Sequence, residues 1–377
     1  MGSTTTRVVM GEFLKGEKNP KIIGIGEAET KGVRHGYVVN ILEAALSLKN
    51  AIASAENNSG IKIKRAFIAI GGVTLRGDIS SGVGIISKAD GEVTNLDINK
   101  ALQDSEDNLN LNNKKVIKVL PISFKLDGKD ILGRPEGMRG TKLEIKALFI
   151  TCSLSHFEDL LEVVTLAGIE PIDIIASPLA GSSIAMSPKQ KIVGGALVNI
   201  GSETASLSVY EDGILVSLHT FSIGGADITN DIALGLKVSL ENAERFKLGN
   251  MGEDFSKKKL DEIVEARLLD IFESIENHLK KIKRNELLPA GIVFIGGAAN
   301  TPLLEEFSKS ALKLPSRIGA TEIFGNIKTK LRDPSWFTAL GLIMSSDENN
   351  SYSSGSLQNF FKNLKRIIKS NLKQLMP

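Results

Sequence analysis

The sequence predicts an α/β chain of two lobes closing on one nucleotide, and three observations predict it. Two apolar runs adjoin glycine turns in separate halves of the chain. Gly2-Ser3-Thr4-Thr5-Thr6 precedes Arg7-Val8-Val9-Met10, and Ala196-Leu197-Val198-Asn199-Ile200 runs into Gly201-Ser202-Glu203-Thr204. A third run, Ile292-Val293-Phe294-Ile295, ends in Gly296-Gly297-Ala298-Ala299-Asn300. Finally, residues 191–218 read as strand, turn, strand, turn, strand and so repeat the opening of the chain. A strand that ends in glycine exposes backbone N–H groups with no Cβ in the way, a nest that suits phosphate.

The remaining elements follow in order. Residues 7–14 and 20–28 read as strands around the polar turn 15–19. Residues 40–56 read as a helix, with Asn40 as its cap and Ile41, Ala44, Ala45, Leu48 and Ile52 on one face. Residues 65–72 form another buried strand ending in glycines, and the β-β-helix-β order suits an α/β lobe. From 79 to 152 polar, asparagine-rich stretches such as 104–115 separate short alternating strands at 115–120 and 142–150, which reads as a small α+β insert. A helical pattern returns at 155–168, and residues 153–190 continue the first lobe begun by 1–78. The second lobe spans 191–330, with helices at 226–248 and 257–284; the latter is so charged that a solvated face is its simplest reading. Asp333-Pro334-Ser335-Trp336 opens a closing core helix within 331–346.

The chain has 377 residues, enough for several cores, with 42% hydrophobic and 24% charged residues. Cys152 is the only cysteine, so no internal disulfide forms, which fits a reducing interior. No apolar run is long enough to span a membrane, and the N-terminus is unlike a secretory signal. The formal charge of +2 hides a basic tail: without Lys362, Lys365, Arg366, Lys369 and Lys373 the remainder carries −3. Charge therefore points away from nucleic acid for the body of the protein. Residues 347–356 have linker composition. In 357–377, Leu357, Phe360, Phe361, Leu364, Ile367, Ile368, Leu372 and Leu375 fall within an arc of roughly 140° at helical spacing, with those five cations on the polar face. That is the composition of a helix lying in an anionic membrane surface. A C-terminal helix docked on its own domain is the bland alternative, and the absence of acids after the linker argues against it. His35, His156, His219 and His278 are far apart in sequence, show no metal-ligand spacing and read as core or surface residues. Serine-rich turns lack the paired His and Asp of a hydrolase triad.

The glycine turns resemble those of the actin-type ATPases, which include chaperone ATPases and sugar kinases. Longer stretches resemble one branch closely: residues 31–41 (Lys-Gly-Val-Arg-His-Gly-Tyr-Val-Val-Asn-Ile), 137–144 (Gly-Met-Arg-Gly-Thr-Lys-Leu-Glu), 223–233 (Ile-Gly-Gly-Ala-Asp-Ile-Thr-Asn-Asp-Ile-Ala), Thr338-Ala339-Leu340-Gly341-Leu342 and the basic tail. In order and over nearly the whole chain, they are similar to the bacterial cell-division FtsA family. The resemblance implies a two-lobe actin-like fold, a duplicated ribonuclease H-like unit with an α+β insert in the first lobe and a C-terminal amphipathic helix. It implies a tether holding tubulin-like FtsZ filaments at the division site, on the cytoplasmic face of the membrane. The insert would contact later division proteins and neighbouring protomers, which self-associate. ATP or ADP with Mg²⁺ would sit on Gly2, Ser3 and Thr4, on Gly201, Ser202, Glu203 and Thr204, and on Gly296, Gly297 and Ala298. Glu244 and Lys247 match the ribose- and base-contacting pair; Arg267, in Glu265-Ala266-Arg267-Leu268-Leu269-Asp270, matches an FtsZ-facing arginine.

The departures bear on chemistry. The family's Asp two residues before the first-loop glycine, and most of the strand carrying it, have no counterpart in this sequence, which suggests a start upstream because a sheet lacking an edge is costly. Asn199 stands for the second-loop Asp, Ser177 for a usual Glu, and Gly201-Ser202-Glu203-Thr204-Ala205-Ser206 for Gly-Gly-Gly-Thr-Thr-Asp. Carboxylates at such positions hold hydrated Mg²⁺ and orient water, so weak or absent hydrolysis is expected. Glu203 itself would repel a phosphate unless a metal ion bridged them. Other membrane-associated actin-like scaffolds fit less well: the pilus-assembly PilM type lacks such a tail and the MreB type lacks the insert. A sugar kinase needs a catalytic carboxylate at a sugar cleft, and none can be nominated.

Overall fold

The computed structural model describes residues 1–14, 19–250, 252, 255–321 and 329–344. The linker and basic helix read at 347–356 and 357–377 lie outside the described residues. In the first lobe β1 (Thr5–Glu12) pairs antiparallel with β2 (Lys21–Glu29). A small hairpin, β3 (Val33–Arg34) and β4 (Tyr37–Val38), turns at His35 and Gly36, both with positive φ. In α1 (Ile41–Ser59) the Asn40 carboxamide oxygen accepts the Glu43 N–H at 3.2 Å, as its capping role requires. The helix buries Ala44, Ala45, Leu48, Ala51, Ile52 and Ala55, and leads to β5 (Arg65–Ile70).

The insert contains β6 (Arg76–Ile85), α2 (Asn95–Asp107), β7 (Lys114–Leu126), β8 (Lys129–Ile131) and β9 (Lys142–Ser153), in an antiparallel sheet of order β6-β9-β7-β8. Pro121, mid-strand, is tolerated because β7 bulges beside it and meets β8 only from Phe124 onward. Part of the stretch read as polar spacer is α2. Ile98 and Ala101 on its inner face join Val93, Phe124, Leu126, Leu143 and Ile145 in a separate small core. Asp97 caps it from inside: fully buried, it accepts from the Thr94 N–H and hydroxyl and from the Ser87 N–H and hydroxyl, at 2.6–3.0 Å. Burial opposes its charge, but those four hydrogen bonds hold its carboxyl well below the usual range.

The first lobe resumes with α3 (Leu154–Leu166), β10 (Glu170–Ala176), α4 (Ser177–Ala185) and α5 (Pro188–Val193). The second lobe holds β11 (Gly195–Ile200), β12 (Ala205–Glu211), β13 (Ile214–Phe221), α6 (Gly225–Leu236), α7 (Leu240–Lys247), α8 (Lys257–Lys281), β14 (Ile292–Ile295), α9 (Leu304–Leu312) and β15 (Ser316–Ile318). The helix read as continuous over 226–248 is broken at Lys237, whose positive φ ends α6 before Ser239 caps α7. Finally α10 (Phe337–Met344) packs on α4 so closely that a Cβ on Gly341 would lie 1.8 Å from the Ala180 carbonyl oxygen.

The second-lobe sheet has the order β13-β12-β11-β14-β15, with β11 antiparallel to β12 and parallel to β14. The matching first-lobe strands are β2-β1 and β5-β10, yet β1 and β5 do not pair, and each couple is a separate two-stranded sheet. Nothing among the described residues stands where β11 stands in the second lobe. The gap is therefore internal to the sheet rather than at the edge that the sequence analysis anticipates.

Candidate nucleotide cleft

The first glycine turn leads into β1, the second joins β11 to β12, and the third follows β14, so strand order alone brings all three to the interlobe cleft. Gly2, Ser3, Thr4, Gly201, Ser202, Glu203, Thr204, Glu244, Lys247, Gly296, Gly297 and Ala298 all line one cavity of about 1640 Å³. The cavity continues past Arg7, Val9, Arg65, Phe67 and Ile343, between β1 and β5, so part of its volume is the gap in the first-lobe sheet.

The second turn is closed by the Gly201 N–H donating to the Thr204 carbonyl at 2.8 Å. The start of α6 then grips it, since the Gly225 N–H donates to the Gly201 carbonyl and the Ala226 N–H to the Ser202 carbonyl. Gly296 has φ +94°, and a Cβ there would come within 2.4 Å of the Asn199 Oδ1 and the Ile200 carbonyl; only glycine fits. Its neighbour Gly297 faces open space, leaving a smooth floor against which a planar base can lie.

Glu244 and Lys247 share one face of α7, but they differ in availability. The Lys247 ammonium is buried and uses its three protons on the Gly225 carbonyl (3.1 Å), the Thr229 hydroxyl (2.9 Å) and Glu244 Oε2 (2.6 Å). It knots α7 to α6, whereas the half-exposed Glu244 carboxylate faces the cleft.

Glu203 bridges the lobes. Its carboxylate accepts from the Arg34 guanidinium at 2.9 Å, from the His35 N–H at 2.6 Å and from the Ser3 hydroxyl. The His35 ring approaches the Glu203 carbonyl at 3.2 Å and the Ser222 hydroxyl at 3.3 Å. Burial alone would raise the Glu203 pKa, but donation from His35, Arg34 and Ser3 holds it below the usual value. Arg34 and His35 were not among the sequence-predicted site residues; their only signal was position within the 31–41 stretch. The histidines far apart in sequence are partly brought together by the fold: His35 is part of this bridge, and His219 and His278 stack with centroids 4.7 Å apart.

Ser177 and Asn199, where acids were expected, both line the cavity. Five acids among the described residues line the cavity, Glu29, Glu203, Glu241, Glu244 and Asp333; of these Glu203 is engaged as described, Glu244 by Lys247 and Thr229, and Asp333 by the Ser335 N–H and the Asn300 amide. Among the described residues no group of three His, Cys, Asp or Glu could hold a metal ion. The cleft thus fits a nucleotide by its turns but offers no metal cage of its own. Arg267 lies outside it on α8, donating twice to Asp231 of α6 (2.6 and 3.2 Å) and pairing with Asp270 at 3.1 Å. The candidate membrane contacts, from Leu357 to Lys373, lie outside the described residues.

Comparison with known proteins bears on both lobe and insert. A family profile described as "Cell division protein FtsA" matches residues 196–341, and one described as "SHS2 domain inserted in FTSA" matches 72–151. The FtsA of Bacillus subtilis is 30% identical over 365 residues, covering 91% of this chain and 81% of that protein. The FtsA of Pseudomonas aeruginosa is 27% identical, covering 91% and 87%. Among solved structures, the PilM-PilN type IV pilus biogenesis complex superposes with TM-score 0.70 at 15% identity, covering 91% of this chain and 95% of that one. The ethanolamine utilization protein EutJ from Carboxydothermus hydrogenoformans superposes with TM-score 0.55 at 16% identity, covering 91% and 86%. At such identity the likeness concerns fold alone: two-lobed and actin-like.

Proposed function

The chain belongs to the FtsA family of cell-division proteins, and on that premise we propose that it tethers FtsZ filaments to the cytoplasmic face of the membrane at the division site. The observation that carries this reading is the match of both the second lobe and the inserted subdomain, joined to a basic amphipathic tail in one chain. The tail supplies the anionic-membrane contact through Leu357, Phe360, Phe361, Leu364, Ile367, Ile368 and Leu372, with Lys362, Lys365, Arg366, Lys369 and Lys373 toward the headgroups. The insert is the surface for later division proteins and for self-association. The α8 region receives FtsZ, with Arg267 as one contact. Because Asp231 and Asp270 already hold Arg267, an acid of FtsZ has to share that guanidinium rather than meet a free one. ATP or ADP occupies the cleft, and Mg²⁺ enters with the nucleotide phosphates. Turnover is weak because Ser177 and Asn199 supply no carboxylate.

Co-flotation tests the tether. FtsZ should rise with anionic liposomes only when this protein is present. A Phe361→Glu, Ile368→Glu double variant should lose that recruitment, and Arg267→Glu should cut it at least tenfold while the protein still floats. A thermal melt of Arg267→Glu accompanies the assay, since a third acid beside Asp231 and Asp270 costs stability. Equal recruitment by wild type and the double variant would refute the tether.

A further inference from the structure

The bridge across the cleft has a chemistry that a structural tie does not need. Glu203 sits on the second-lobe turn that would receive the phosphates, and its carboxylate draws on three donors of the facing first lobe: the first-turn Ser3 hydroxyl, the His35 N–H and the Arg34 guanidinium. A hydroxyl, a backbone N–H and a guanidinium converging on one point between two glycine turns are the donors that clasp the far end of a polyphosphate. Here a side chain of the protein already satisfies them.

We infer that Glu203 is a built-in occupant of the terminal-phosphate position, so that the cleft takes nucleoside diphosphate in preference to triphosphate. The inference rests on the nucleotide reading above and specifies its ligand. Two further observations favour it. Glu203 is nearly enclosed, with its side chain 13% exposed, so a second anion entering the same donors would meet its charge with little water between them. The Arg34 side chain is 74% exposed and could turn to either anion, so it does not relieve the conflict by position. A diphosphate, ending one phosphate short, leaves the bridge intact. A triphosphate must break all three of its contacts and part the lobes where they are joined.

Titration calorimetry on the full chain, with Mg²⁺, compares ADP with a non-hydrolysable triphosphate analogue in three proteins. Wild type should bind ADP at least tenfold more tightly than the analogue. Glu203→Gln keeps the shape and removes the charge, and should bring the two affinities within threefold of each other. Arg34→Ala weakens the bridge but leaves the charge, and should keep the wild-type preference. If Glu203 is merely a tie between lobes, both variants shift both affinities together and the preference does not move, which overturns the inference while leaving the nucleotide reading standing. Wild type that binds both nucleotides equally also overturns it. Wild type that binds neither overturns the nucleotide reading itself, and the inference with it. The wild-type preference is decisive even if Glu203→Gln fails to fold.

Discussion

The two lobes share a strand order, but among the described residues only the second has every strand of it. In the second lobe β11 lies between β12 and β14 and makes one sheet of five strands; in the first, β1 and β5 face each other across a cavity with no described strand between them. Both lobes nevertheless keep substantial apolar cores, and that of the first draws on residues of the second: Leu197, Val293 and Ile295 belong to the same buried cluster as Ile70, Ile174 and Ala176. Helices α1, α3 and α10 therefore hold the separated pairs in place, as a scaffold around a sheet rather than a sheet with helices upon it. A two-stranded sheet alone is marginal in water, and backbone groups facing a cavity lack the partners that β11 provides.

The comparison breaks most directly in amide hydrogen exchange. Amides of β1 and β5 that face the gap should exchange at least 100-fold faster than those of β11, a difference of about 2.7 kcal/mol in local opening. A variant carrying a copy of Gly195–Ile200 fused ahead of residue 1 should slow the exchange of the gap-facing, alternate amides of β1 and β5 while leaving β11 unchanged. Equal protection of β1 and β11 in the unmodified chain would show that the first lobe closes its sheet by other means.

The two lobes also differ in how legible they were. The repeat of strand and turn at 191–218 is readable because β11, a central strand, is apolar but for Asn199, and because β12 and β13 alternate apolar residues with small or aromatic polar ones on either side of short turns. The Asn40 cap and the α1 face were readable because capping and helical period are local. What escaped was set by distance or by polarity. The helix α2 was hidden because half of it faces water and its inward anchor is an aspartate, Asp97, whose burial makes sense only beside Ser87 and Thr94. The bridge of Glu203 to Arg34 joins residues 169 apart, and nothing in either neighbourhood announces the other. Lys247 matched a ligand-contacting position, but its inward turn depends on Thr229 and on the Gly225 carbonyl of a neighbouring helix.

A second prediction sharpens the contrast at the glycine turns. Gly296→Ala should cost about 3 kcal/mol, because φ is positive and two oxygens lie within 2.4 Å of the new Cβ. Gly2→Ala in the first lobe should change stability by less than about 0.5 kcal/mol, since its φ is ordinary and the Thr5 carbonyl oxygen at 3.1 Å is its only close neighbour. Chemical denaturation of both variants measures this. Similar losses would mean that the first turn is as tightly built as the third.

The smallest expected effect is on acid sensitivity, lobe by lobe. In the first lobe, burial lowers the His156 pKa below its ordinary value near 6.5, although its ring contacts the Gly71 carbonyl. In the second lobe, burial, helped by His219 and Lys281, lowers His278 from near 6.5 to about 4. Both groups are cationic when protonated and both pKa values are depressed by folding, so the unfolded chain binds more protons and stability rises with pH. For each the contribution is complete above pH 6.5 and is lost as pH falls; for His278 the loss runs down toward 4. Exchange rates followed from pH 7.5 to 4.5, corrected for intrinsic chemistry, should therefore show both lobes loosening below pH 6.5. His156→Gln should erase the loosening of the first lobe alone. His278→Gln, which keeps a partner for the Ser217 hydroxyl, should erase that of the second alone. If both losses survive both changes, other groups set the acid limit of each lobe.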